Sequence, residues 1–127
     1  MKQPSFGRSL LHAINGLAFT VRTQRNAKIH VVFGSLVLIM AVWLQLDLQQ
    51  ISILILTIGG VIAGETINTT VEAVVDLLSP EFHERAKIAK DVSAGAVLIL
   101  SLAAILVGLL TMGPPLWERV SQFTRGG

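Results

Sequence analysis

One short segment holds most of the reactive groups in this sequence: Glu65-Thr66-Ile67-Asn68-Thr69-Thr70-Val71-Glu72-Ala73-Val74-Val75-Asp76. On a helix turning about 100° per residue, Asn68, Thr69, Glu72 and Asp76 all lie within about 60° of Glu65. Ile67, Val71, Val74 and Val75 take the other side. Glu65 and Glu72 are then two turns apart, about 10.5 Å along the axis. Carboxylates paired in this way bind cations or move protons, and magnesium takes one or two of them together with substrate phosphates. The competing use of such a stripe is helix–helix glue, a task more often given to Ser, Thr or Asn.

Two further groups belong in the same chemical vocabulary. Lys90-Asp91 reads either as a phosphate-binding cation near the stripe, or as a snorkelling lysine beside an aspartate helix cap. Gln24-Arg25-Asn26 reads as a polar turn expected near the cytoplasmic end of the stripe. His12, His30 and His83 show no metal-ligand spacing and are expected to be structural. There is no Walker A loop, no glycine-rich kinase loop and no catalytic Ser/His arrangement.

The elements that must position these groups are set by hydropathy. Of 127 residues, 52% are hydrophobic and only 14% charged, which is too little polar surface for a water-soluble domain of this size. The net charge of +2 gives no reason to expect nucleic acid, and the absence of cysteine excludes disulfides and thiolate metal sites. Uncharged stretches run over 29–46, 48–64 and 92–117. Crossing a hydrocarbon core about 30 Å thick takes roughly 20 helical residues, so the first two must extend into their flanks. The resulting expectation is all-α: one domain over 1–127, with spans at about 29–47, 49–78 and 91–112. An amphipathic surface helix is expected over about 5–25, where Phe6, Leu10, Ala13, Leu17 and Val21 recur at helical spacing.

Asp47-Leu48-Gln49-Gln50 is expected to turn between the first two spans, and Ser79-Pro80 to stop the second. Gly113-Pro114-Pro115 is expected to interrupt the third, leaving a short surface helix around Trp117. Gly60-x-x-x-Gly64 and Ser93-Ala94-Gly95-Ala96 are read as packing positions, and Trp43 and Trp117 as interfacial anchors. Lys2, Arg8, Arg22, Arg25 and Lys28 precede the first span, and Arg85, Lys87 and Lys90 lie in the second loop. The first loop has no basic residue, so the N-terminus and the 81–91 loop are expected to be cytoplasmic.

Glu65-x-x-Asn68-Thr69-x-x-Glu72-x-x-Val75-Asp76, followed by Ala86-Lys87-Ile88-Ala89-Lys90-Asp91-Val92-Ser93-Ala94-Gly95-Ala96-Val97-Leu98, resembles the prokaryotic diacylglycerol kinase family, which includes undecaprenol kinases. The resemblance runs from about Arg8 to Leu110. It implies a homotrimer of three-span subunits in the bacterial inner (plasma) membrane, moving the γ-phosphate of Mg-ATP to a lipid hydroxyl at cytoplasmic-side sites between subunits. By position, Glu65 looks like the general base and Glu72 a ligand of Mg2+ on ATP. Asn68 looks like a site organiser, Lys90 the γ-phosphate contact, and Asp91 the residue that holds Lys90 and the nucleotide. Asp76 matches a further family position, structural or at the nucleotide edge, and Arg8 lies near a basic position of the surface helix.

One departure stands out. Where the family usually has glutamate in a T-E-R-N segment sharing the metal, this chain has Gln24. An amide oxygen can coordinate but brings no charge, so weaker metal binding is expected, and a catalytically impaired member is one alternative. A small oligomeric cation or proton conduit lined by Glu65 and Glu72 is another. His30 and Ser79-Pro80-Glu81-Phe82-His83 look more like the undecaprenol-kinase branch.

Overall fold

The computed structural model describes residues 5–125, so Lys2 of the N-terminal basic set lies outside the described residues. Four helices follow in order: α1 (Phe6–Thr23), α2 (Arg25–Trp43), α3 (Leu48–Leu78) and α4 (Glu84–Arg125). The last three are long and apolar enough to cross a membrane. At about 1.5 Å per residue, α3 is about 46 Å long and α4 about 63 Å, so both reach beyond a hydrocarbon core of about 30 Å. Most large apolar side chains face outward, as lipid-facing helices require.

α1 keeps Phe6, Leu10, Leu11, Ile14, Leu17 and Phe19 exposed, and Thr20 is its buried residue. A surface helix that gives its apolar side to lipid has this distribution. α1 and α2 meet at Gln24, whose extended backbone breaks the helix for one residue. α2, α3 and α4 pack against one another with α3 running opposite to its neighbours. The start of α2, the end of α3 and the start of α4 therefore share one end of the bundle.

At the other end the turn lies over residues 44–47, earlier than the expected 47–50. Leu46 N–H donates to Ala41 O (3.1 Å) and Gln45 N–H to Val42 O (3.0 Å), with Gln45 at φ 57°. Those two bonds and a left-handed residue make a Schellman ending for α2. Asp47 then caps α3: its carboxylate accepts from Gln50 N–H (2.8 Å), and the Gln50 side chain accepts from Asp47 N–H (3.2 Å). Leu48, Gln49 and Gln50 thus form the first turn of α3 rather than the connection before it. The helix α2 accordingly begins and ends before the limits of the span expected over 29–47.

The expected interruption at Gly113-Pro114-Pro115 is absent, because α4 runs through both prolines to Arg125. Neither proline can donate to the carbonyl four residues back, on Leu110 and Thr111, which makes them unfavourable inside a helix. The far segment has contacts that hold it in line. Met112 and Leu116 pack on the buried cluster of Ala41, Leu44, Leu46 and Leu54, and the Arg119 guanidinium lies 5.3 Å from the Trp43 ring centre. Trp117 is exposed.

Glycine opens two close approaches. A Cβ at Gly64 would collide with Leu100 of α4, and one at Gly34 would come within 2.7 Å of Ile58 of α3. A Cβ at Gly60 would meet nothing within 4 Å among the described residues, so only one half of the expected small-residue pair meets a neighbouring helix.

Candidate active site

The polar stripe of α3 faces the protein and its apolar side faces outward. Glu65 is 2% exposed, Asn68 and Thr69 are buried, Glu72 is half-buried and Asp76 is exposed, whereas Ile67 and Val74 are exposed. Along the axis the stripe rises from the protein interior to its surface, and the inside-out distribution is one only lipid favours.

Three helices tie themselves together around Glu72. The Gln24 amide donates to Glu72 Oε2 (3.3 Å) and the Asn68 amide donates to Glu72 Oε1 (3.1 Å). Ser93 of α4 donates to Asn68 Oδ1 (2.6 Å), which fixes the Asn68 amide with its nitrogen toward Glu72. Residues from the α1–α2 junction, α3 and α4 are thereby linked in one chain of hydrogen bonds. Ser93 was expected only to pack. Its signal in the sequence is its place three residues after Lys90, on the same face of α4.

Nearer the surface, Lys90 pairs with Asp76 of α3, while Asp91 pairs with Lys87 one turn back at 2.6 Å. The expectation that Asp91 holds Lys90 is therefore corrected. Adjacent residues point about 100° apart on a helix, so Asp91 cannot share the face on which Lys90 meets α3. Arg8 is exposed and stands about 24 Å along α1 from Gln24, so the chain does not bring it to this cluster.

Glu65 stands apart from the network. Thr69 donates to its backbone carbonyl (2.9 Å), but the carboxylate atom Oε2 is buried without a hydrogen-bond partner among the described residues. Glu65 belongs to the wall of a cavity of about 260 Å³, together with Asn26, His30, Asn68, Val97 and Ser101. Alongside lies an apolar groove of about 500 Å³ between α2, α3 and α4, walled by side chains such as Phe33, Val37, Leu54 and Ile105. Ile29, His30 and Ser101 belong to both walls, so the groove and the cavity adjoin there. His30, expected to be structural, is thus a cavity residue. Its sequence signal is the i, i+4 spacing from Asn26, which puts both on one face of α2.

Among the described residues no three His, Asp or Glu side chains gather as a ready-made metal cluster. A magnesium ion that arrives on phosphates asks for less, one or two carboxylates and further oxygen donors. Glu72 could offer one such carboxylate. The Gln24 side chain, with its single bond to Glu72, can turn its carbonyl oxygen to the same place, whereas Asn68 is held by Ser93. The donor set is all oxygen and suits a hard cation whose charge is shared with phosphate.

Residues 11–112 match the family described as prokaryotic diacylglycerol kinase. The chain is 38% identical over 111 residues to the undecaprenol kinase of Bacillus subtilis, covering 87% of this chain and 90% of that one. It is 41% identical over 114 residues to a diacylglycerol kinase of Synechocystis sp., covering 89% of this chain and 65% of that one. The diacylglycerol kinase of Escherichia coli K12 is 38% identical over 83 residues, or 65% of either chain. A match across most of the sequence, on a chain with three apolar helices long enough to span a bilayer, makes this protein a member of the prokaryotic diacylglycerol kinase family and a membrane lipid kinase.

Proposed function

We propose that the protein transfers the γ-phosphate of Mg-ATP to the hydroxyl of a lipid alcohol, undecaprenol or diacylglycerol, with Glu65 as general base. The observation that carries this reading is the junction of the two cavities: a buried, unpartnered carboxylate borders a space that adjoins a long apolar groove. An acceptor whose tail lies in the groove would bring its hydroxyl to Glu65. Residue by residue, Glu65 takes the hydroxyl proton as the acceptor oxygen forms its bond to the γ-phosphorus. The bond from that phosphorus to the β–γ bridging oxygen breaks, and its electron pair leaves with ADP.

Phosphoryl transfer is mostly positioning and charge neutralisation, so the remaining residues are holders. Lys90 exchanges Asp76 for a phosphate oxygen, and Asp76 and Asp91 border the nucleotide. Asn68, locked by Ser93, keeps Glu72 in place. Glu72 and Gln24 would hold Mg2+, which when bound neutralises phosphate charge. Arg8 could reach a site only in a neighbouring copy, and a homotrimer, with N-terminus and site on the cytoplasmic side of the bacterial inner membrane, belongs to the same proposal.

The test offers undecaprenol and diacylglycerol side by side, in mixed micelles with radiolabelled ATP and magnesium. At least one lipid becomes labelled by the native chain, and Glu65→Gln abolishes the labelling. If neither lipid is labelled, the proposed acceptors are wrong; if Glu65→Gln labels normally, the base is another residue.

A further inference from the structure

We propose that His30 holds the acceptor: its imidazole N–H donates to the hydroxyl oxygen that Glu65 deprotonates, making His30 a second catalytic residue. The inference rests on the lipid-kinase reading above and on Glu65 as its base. Three observations lead to it. His30 and Glu65 are the ionisable side chains in the wall of the 260 Å³ cavity, one from α2 and one from α3. Among the described residues Glu65 Oε2 is buried without a partner, so a carboxylate in the cavity wall has acceptor capacity to which no donor is assigned. His30 also belongs to the wall of the apolar groove, at the place where a lipid leaving that groove enters the cavity.

A hydroxyl arriving there has one proton to give and lone pairs to fill. Glu65 is an acceptor only, so it can fix the proton but not the oxygen. The cavity wall offers His30, Asn26 and Ser101 as further polar side chains, with the Asn68 amide already committed to Glu72. Of these His30 and Ser101 belong to both walls, and His30, with the longer side chain, reaches further from its helix. A neutral imidazole carries one N–H, and donating it to the acceptor oxygen leaves that oxygen a lone pair aimed at the phosphate. The balance of the transfer is unchanged. The hydroxyl proton goes to Glu65, the oxygen–phosphorus bond forms, and the electron pair of the broken bond leaves on ADP.

Steady-state kinetics on the full-length protein in mixed micelles test this, with KM for the lipid alcohol and for ATP measured separately. His30→Leu keeps bulk but removes the donor, and should raise the KM for lipid about tenfold, the value of one ordinary hydrogen bond. Its KM for ATP should stay within about twofold of native, because the nucleotide groups lie further along α3. His30→Gln restores an N–H donor and should recover most of the loss. An unchanged lipid KM in His30→Leu overturns the proposal. So does an equal rise in both KM values with no recovery in His30→Gln, which is the pattern of a packing residue. Glu65→Gln run in parallel separates the two layers: if it is inactive while His30→Leu behaves as native, only the role of His30 falls. If Glu65→Gln is fully active, the base assignment and this inference fall together.

Discussion

The two ends of the α2–α3–α4 bundle are closed by opposite kinds of chemistry. At the Trp43 end the buried residues are Ala41, Leu44, Leu46 and Leu54, the helix ends are capped, and the polar backbone groups of the turn are matched. At the Gln24 end Thr20, Glu65, Asn68 and Thr69 are buried beside Ala27 and Val97, and side-chain hydrogen bonds from Gln24 to Glu72 and from Ser93 to Asn68 cross between helices. One buried acceptor there, Glu65 Oε2, is left unmatched. An unsatisfied buried polar atom costs about 1–3 kcal/mol. In a bilayer the apolar end gains little from hiding from lipid and depends on close packing, so it is the natural place for stability. The polar end gives up stability to hold groups ready for reaction. The chain separates the two tasks along its length.

If that separation is real, a substitution at one end should leave the other function untouched. The largest effect expected is the loss of turnover in Glu65→Gln, a rate decrease of about 10²–10⁴-fold for removal of a general base. The same variant should be at least as resistant to unfolding as the native chain, because it exchanges a buried carboxylate for a neutral amide. Leu54→Ala is the reciprocal. Leu54 is 2% exposed in the apolar cluster, and its truncation should cost about 2–5 kcal/mol of unfolding free energy while the KM for ATP stays native. Unfolding titrations in detergent, paired with the kinase assay, read both. A Leu54→Ala protein that is stable but slow would refute the division.

Within the polar end, Gln24→Glu sharpens the picture. Native Gln24 donates to Glu72, so the metal-free cluster is held by an amide and has no second carboxylate to repel. Replacing it with glutamate adds a negative charge beside Glu72, and should lower the magnesium concentration giving half-maximal rate by about tenfold. Without magnesium the repulsion should reduce stability, visible as a lower unfolding midpoint in EDTA. A large rise in maximal rate at saturating magnesium would show that Gln24 limits catalysis itself. An unchanged magnesium dependence would remove Gln24 from the metal site.

The sequence is most legible where charge meets hydropathy. Glu65, Asn68 and Glu72 are conspicuous because lipid makes them costly, and helical geometry alone puts them on one face; the structure turns that face inward. Contacts between helices are a different matter. Lys90 meets Asp76 rather than its neighbour Asp91, and Ser93 orients Asn68, because residues 14 and 25 positions apart are brought together by helix packing. Local spacing cannot report that. His30 reads as structural for the same reason, since a lone histidine in an apolar stretch gains a further meaning only from the cavity wall it shares. The prolines misled in the other direction. Pro114 and Pro115 are breakers by local rule, yet the contacts of Leu116 and Arg119 keep the helix going. The misplaced turn at 44–47 has a sequence signal after all, in the Asp47-x-x-Gln50 capping box.

That turn also supplies the smallest effect. Its left-handed position, where α2 ends, is taken by Gln45 rather than by glycine. A side chain there costs roughly 1–2 kcal/mol through the clash of Cβ with the following carbonyl. Glycine would relieve that clash but enlarge the freedom of the unfolded chain, which takes back roughly 0.5–1 kcal/mol. Gln45→Gly should therefore stabilise the protein by about 0.5–1 kcal/mol, and Gln45→Val should destabilise it, since a β-branched residue tolerates positive φ least. Turnover should not change in either variant, because the turn lies at the opposite end from Glu72. Unfolding midpoints of the three proteins, native, glycine and valine, should rank glycine highest and valine lowest. A glycine variant that unfolds earlier would mean the Gln45 side chain contributes more than its backbone strain costs, and a change in rate would mean that the two ends are coupled.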